Sequence, residues 1–156
     1  VFQGITTEEL GLLTQVHFDL TKSIVHIPAG ADSVERTLKL QGEQILLLKD
    51  YVENVRPLLL ALTGKKSNMF FVTSGKANHL RGCTGKFLKR IAKVQPRISS
   101  FYQIRASVLG RWLLEEDILE VKVMGGFKYV SSVERYILPS NMLREAIETN
   151  HLFAYP

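Results

Sequence analysis

The chain has 156 residues, 46% of them apolar, and carries 20 Lys or Arg against 15 Asp or Glu for a net charge of +5. That length corresponds to one domain with room for a core, and no apolar run approaches the ~20 residues of a membrane span. A lone cysteine, Cys83, excludes a disulfide framework and a cysteine-built zinc site, and fits a reducing cytoplasm.

The charge is unevenly placed. From Asn54 to Leu114 there is no Asp or Glu, against twelve Lys or Arg. Within that block Lys76, Arg81, Lys86, Lys89, Arg90, Lys93, Arg97 and Arg111 are candidates to contact phosphate. The plainer alternative is a chance asymmetry in a basic protein.

The chain starts at Val1 within apparent helix-turn sequence and reads as a piece of a longer protein. Phe2-Gln3-Gly4 is taken as native sequence rather than a tag scar. Thr6-Thr7-Glu8-Glu9 reads as a capped first turn, with Leu10 and Leu13 facing inward. Ile24–Ile27 and the alternating Arg36–Leu40 are short strands joined through Pro28–Ser33. His26 alternates within the first of these and reads as structural.

Gln41–Arg56 has the spacing of an amphipathic helix, broken or restarted by Pro57, with a short apolar turn over Leu58–Leu62. A basic loop follows, and Met69–Val72 is expected to be the third strand of a small sheet. The next helix spans about Asn78 to Val94, burying Leu80, Phe87, Leu88, Ile91 and Val94. Its Gly82–Phe87 stretch is no phosphate-binding loop, because the first glycine is too close and no Ser or Thr follows Lys86.

Ser99 or Ser100 caps a helix whose stripe is Phe101, Ile104, Val108 and Trp112. Arg105 sits beside that stripe. A half-buried arginine with no carboxylate nearby in sequence calls for an anion, and phosphate would serve, although an isolated arginine is more often an ordinary surface or ion-paired residue. Asp117 and Glu120 open the following helix and Gly125-Gly126 closes it. Ser131-Ser132-Val133-Glu134 reads as a capping box that puts Tyr136 on a short helix, and Ser140–Asn150 as a last amphipathic helix with an apolar tail.

Three of these features, Arg105, the Gly-Gly stop and Tyr136, together with the first box, resemble the tyrosine recombinases (phage integrases). That family's boxes read aromatic-x-Gly-Leu-Arg-x-x-Glu-Leu, then His-x-x-Arg, then Gly-His or Gly-Trp with Tyr nine residues on. Here they are Phe2–Leu10, Tyr102-x-x-Arg105, and Gly126-Phe127 with Tyr136 nine beyond Phe127. The Lys128–Tyr136 stretch, with Arg105-Ala106-Ser107-Val108 upstream, is particularly similar to divergent integrase-like proteins of Bacteroidetes-type bacteria.

The resemblance implies an α+β, mostly α-helical catalytic domain over residues 1–156, with a small three-stranded antiparallel sheet and with the family's N-terminal core-binding domain absent. It implies DNA recombination or integration in a bacterial cytoplasm, as in a mobile element, with double-stranded DNA as the partner, bound through the basic positions named above, and without metal or cofactor. Tyr136 would attack a backbone phosphate to give a 3′-phosphotyrosyl bond, Arg105 would clamp the phosphate, and Tyr102 would donate a neutral hydrogen bond. The last helix would join neighbouring subunits on DNA. Thr6, Ala31, Tyr102 and Phe127 stand where the family places arginine, lysine, histidine or lysine, and histidine or tryptophan. Each lost donor to a developing charge costs ~10²–10³ in rate, so the catalytic set is partly degenerate. Two other readings stay open: a catalytically inactive DNA-binding relic, and an unrelated basic nucleic-acid-binding domain.

Overall fold

The computed structural model describes residues 3–64, 66–73 and 79–137. Lys76, the side chain of Arg81 and the expected helix at 140–150, with its subunit contact, lie outside the described residues. Helix α1 (Thr7–Leu12) begins as expected: the Thr6 hydroxyl accepts from the Glu9 N–H at 3.1 Å, and the Glu9 carboxylate accepts from the Thr6 N–H at 2.8 Å. This reciprocal cap satisfies two orphan donors and fixes where Glu9 points.

The chain then enters a three-stranded antiparallel sheet, ordered β1 (Phe18–Asp19), β2 (Ile24–Ile27), β3 (Arg36–Lys39). Register pairs Val25 with both Phe18 and Leu38, and Ile27 with Arg36. Alternation turns Val25, Ile27 and Leu38 inward and His26 outward, where its ring hydrogen-bonds the Thr37 hydroxyl across the strands. Arg36 falls in the inward register and is therefore buried, a position that requires a counter-charge.

The third strand is not the expected one. Met69 makes only a single bridge, to Thr14, and β1 takes the sheet edge instead. The reason lies in where the 67–72 backbone spends its hydrogen bonds. Buried Arg56 donates to the carbonyls of Ser67, Met69 and Phe70, the Tyr51 hydroxyl donates to Phe70 O, and Val72 N–H donates back to Tyr51. Side chains satisfy groups that a ladder would have used. Phe70, fully buried, stacks on Phe18 with ring centroids 3.8 Å apart.

Pro57 does not break the preceding helix. Helix α2 (Gly42–Asp50) runs through a π-helical turn (Tyr51–Val55) into α3 (Arg56–Thr63). The Arg56 N–H reaches back five residues to Tyr51 O, and the wider turn accommodates a proline that has no N–H to donate.

Helix α4 (His79–Val94) is more exposed than its periodicity suggests: Phe87 and Val94 face solvent, and Phe87 stacks on Phe101. Helix α5 (Phe101–Glu115) is capped by Ser100 and carries Ile104, Val108, Leu109 and Trp112 into the core. Asp117 caps α6 (Ile118–Gly125), accepting from Leu119 and Glu120 N–H, and Gly126 ends it at φ +69°. Helix α7 (Ser131–Glu134) has no side-chain cap, so the expected Ser131 box is absent. Tyr136 lies just past its end, its N–H bonded to Val133 O. Among the described residues no helix is long and apolar enough to cross a membrane.

Candidate functional site

Residues remote in sequence meet at one cleft of about 420 Å³. Its wall includes Thr6 and Glu9 from the start of α1, Ala31 and Ser33 from the β2–β3 connection, Tyr102 and Arg105 from α5, and Gly126-Phe127 from the end of α6. Tyr136 is not part of that wall. It is 8% exposed and packs against two wall residues, with ring centroids 6.1 Å from Tyr102 and 5.9 Å from Phe127.

Beneath the cleft sits an ion pair. Arg36 donates to both oxygens of Glu9, at 2.6 and 3.1 Å, with both side chains almost fully buried. Burial alone would raise the Glu9 pKa. The hydrogen bonds from Arg36 and from the Thr6 N–H, with the Arg36 charge, outweigh it and hold the carboxyl at about 2. Arg36, at the end of the β2–β3 connection, is thus committed inside the protein.

The anion that the sequence asks for beside Arg105 is replaced by partners within the protein. Its guanidinium donates to the carbonyl of Gly4 and, at 2.7 Å, to that of Gly125, with Glu9 3.8 Å away. It also lies over the Phe127 ring, 5.1 Å from the centroid. Burial lowers the Arg105 pKa and the Glu9 charge opposes that shift. The guanidinium remains a fixed cation in the wall of the cleft.

For Tyr136, burial comes first, then the hydrogen bond and charge of the Tyr102 hydroxyl. Together they push its pKa up to about 12 against the pull of Arg105 and Arg135. The site therefore favours the neutral phenol. Tyr102, by contrast, is well exposed at the mouth.

The connection between β2 and β3 is fastened to the α6 end. Val34 N–H donates to Gly126 O at 3.0 Å, and the Lys128 ammonium donates to Ala31 O at 2.7 Å. Gly126 has Arg36 directly against it, so a Cβ there would collide with the guanidinium. Sequence reasoning finds neither the Glu9–Arg36 pair nor the reach of Lys128. Glu9 is visible as the glutamate of the first box and Lys128 as the first residue of the Lys128–Tyr136 stretch, but the contacts they make across the chain leave no local signal.

Of the predicted phosphate contacts, Lys86, Lys89, Arg90 and Lys93 are exposed along α4, and Arg97 follows, also exposed. Arg111 is not with them: it lines a shallow cleft with Gln41, Gly42 and Glu43. Among the described residues no group of three or more His, Cys, Asp or Glu gathers as metal ligands.

Among solved structures, the chain matches a XerA recombinase with a TM-score of 0.71 and 20% identity over 99% of its length. It matches the Tn1549 transposon integrase, solved with transposon right-end DNA, with a TM-score of 0.66 and 13% identity over 94%. The fold is that of the tyrosine recombinases. The chain spans just over half of each of those two proteins, 56% and 55%. No family model matches it, and neither does any curated protein.

Proposed function

We propose that the chain is the catalytic-domain part of a divergent DNA recombinase or integrase, cleaving and rejoining a strand through a phosphotyrosyl bond to Tyr136. The observation that carries this reading is convergence. Thr6, Ala31, Tyr102, Arg105 and Phe127, the positions singled out by the family's boxes, come from four separate segments and line one cleft, with Tyr136 packed against it. The recombinase and integrase fold neighbours, one of them solved with DNA, support the same reading.

In this reading a backbone phosphate enters the cleft beside Arg105, whose fixed charge stabilises the phosphorane as it gains negative charge. Tyr102 and the Thr6 hydroxyl supply neutral hydrogen bonds, weaker than charge-assisted ones. Phe127 cannot donate; it holds the Tyr136 ring and the Arg105 plane. Tyr136 attacks once its ring swings toward the cleft. The exposed cations of α4 and Arg97 hold the duplex by its backbone.

The test is covalent trapping on nicked duplexes tiled across the DNA flanking the gene, in which loss of the short cleaved piece makes cleavage irreversible. An adduct on denaturing gels that vanishes in Tyr136→Phe is the expected result. A second reading, a DNA-binding relic without catalysis, is favoured by one observation: Tyr136 is buried and its hydroxyl is held as the phenol. No adduct, with salt-sensitive DNA binding intact, would establish that second reading and overturn the first.

A further inference from the structure

The strand-cleavage reading leaves one chemical demand unmet. The departing 5′ oxygen needs a proton, and the two cations in or beneath the cleft are arginines, which do not give theirs up. Arg36 is in addition held by both oxygens of Glu9. One ammonium reaches a wall residue from outside the cleft. Lys128 extends from the turn after α6, and its Nζ donates to the carbonyl of Ala31, a wall residue, at 2.7 Å. One of its three N–H groups is used there and two remain. Among the described residues no carboxylate lies within ion-pair distance of it.

Its position is fixed from both sides: Phe127 N–H bonds Lys122 O at 2.9 Å, and Val34 N–H bonds Gly126 O at 3.0 Å. We infer that Lys128 is the general acid of this site. The inference rests on the strand-cleavage reading. In the forward step the Tyr136 oxygen forms a bond to phosphorus and its phenolic proton leaves to solvent water. The bond from phosphorus to the 5′ oxygen breaks, and that oxygen takes a proton from the Lys128 ammonium. In rejoining, the neutral Lys128 amine takes the proton from the attacking 5′ hydroxyl.

The experiment compares two nicked duplexes, identical except that one carries sulfur in place of the 5′ bridging oxygen at the scissile phosphate. A thiolate leaves without protonation, so loss of the acid is rescued by sulfur and loss of the nucleophile is not. Lys128→Ala and Lys128→Arg are expected to slow adduct formation on the oxygen duplex by at least about 100-fold. Both should match the unsubstituted protein on the sulfur duplex, while Tyr136→Phe fails on both. Arginine keeps the charge without the transferable proton, which separates acid catalysis from binding.

Full activity of Lys128→Ala on the oxygen duplex would overturn the inference, as would a loss that sulfur does not rescue. If the unsubstituted protein forms no adduct on either duplex, the strand-cleavage reading itself falls and the inference with it. Lys128 is exposed, so its variants should keep the melting temperature of the parent, which checks the comparison.

Discussion

At Glu9 and Arg36, two charges are held almost entirely away from water, so each is tolerable only because of the other. Arg36→Ala takes from the buried carboxylate its bidentate partner, leaving only Arg105 at 3.8 Å and the Thr6 N–H, and should cost about 3 kcal/mol in equilibrium urea unfolding. The same pair sets an acid limit. Glu9 titrates at about 2 in the folded protein against an ordinary value of 4.5, so its contribution is complete above 4.5 and is lost as the pH falls toward 2. The urea midpoint should therefore fall across that window, and Glu9→Gln, destabilised throughout, should lose that part of the dependence. Gly126 beside the pair is constrained twice, by its φ of +69° and by its closeness to the Arg36 guanidinium. Gly126→Ala should lower stability by more than about 1 kcal/mol, read from the same unfolding curves.

Helix α4 is the element whose sequence and structure differ most in emphasis. Its apolar stripe is real in spacing, yet Phe87 and Val94 stay exposed, and Lys86, Lys89, Arg90 and Lys93 stand in solvent along it. Salt bridges do not occupy these four among the described residues, which leaves them available to phosphate. Replacing all four with alanine should weaken duplex binding and flatten its dependence on log salt by about 0.9 for each phosphate no longer neutralised. Binding isotherms at several salt concentrations would measure this. A weaker affinity with an unchanged slope would mean that α4 does not touch the backbone. Helices α1, α5 and α6 are legible from capping residues and apolar spacing, because those signals are local. The third strand is not, since what removes Met69–Val72 from the sheet is Arg56 and Tyr51, brought to it by tertiary structure.

Across the whole molecule, Arg105 joins segments that are distant along the chain: the Gly4 carbonyl, the Gly125 carbonyl and the neighbourhood of Glu9. Arg105→Ala should therefore cost about 2 kcal/mol or more in thermal unfolding as well as any activity, since two buried carbonyls lose their donors. Tyr136→Phe keeps the ring that packs on Phe127 and should stay within about 1 kcal/mol of the parent. The two substitutions would thus separate chemistry from folding. The candidate site is legible in the sequence as a set of positions, because the boxes carry Tyr102, Arg105 and Tyr136 in order. Its electrostatics are not, because Glu9, Arg36 and Lys128 act through space from other elements. The π-helical turn before Pro57 also ties the number of residues in the chain to that proline. A π turn takes one residue more than an α turn into about the same rotation, so deleting one exposed residue there, such as Glu53 or Asn54, would restore a regular helix with Arg56 still facing the Ser67, Met69 and Phe70 carbonyls. The regular turn would, however, drive the Pro57 ring against the carbonyl four residues before it. Descendants of this chain that lose the extra residue should therefore lose the proline with it.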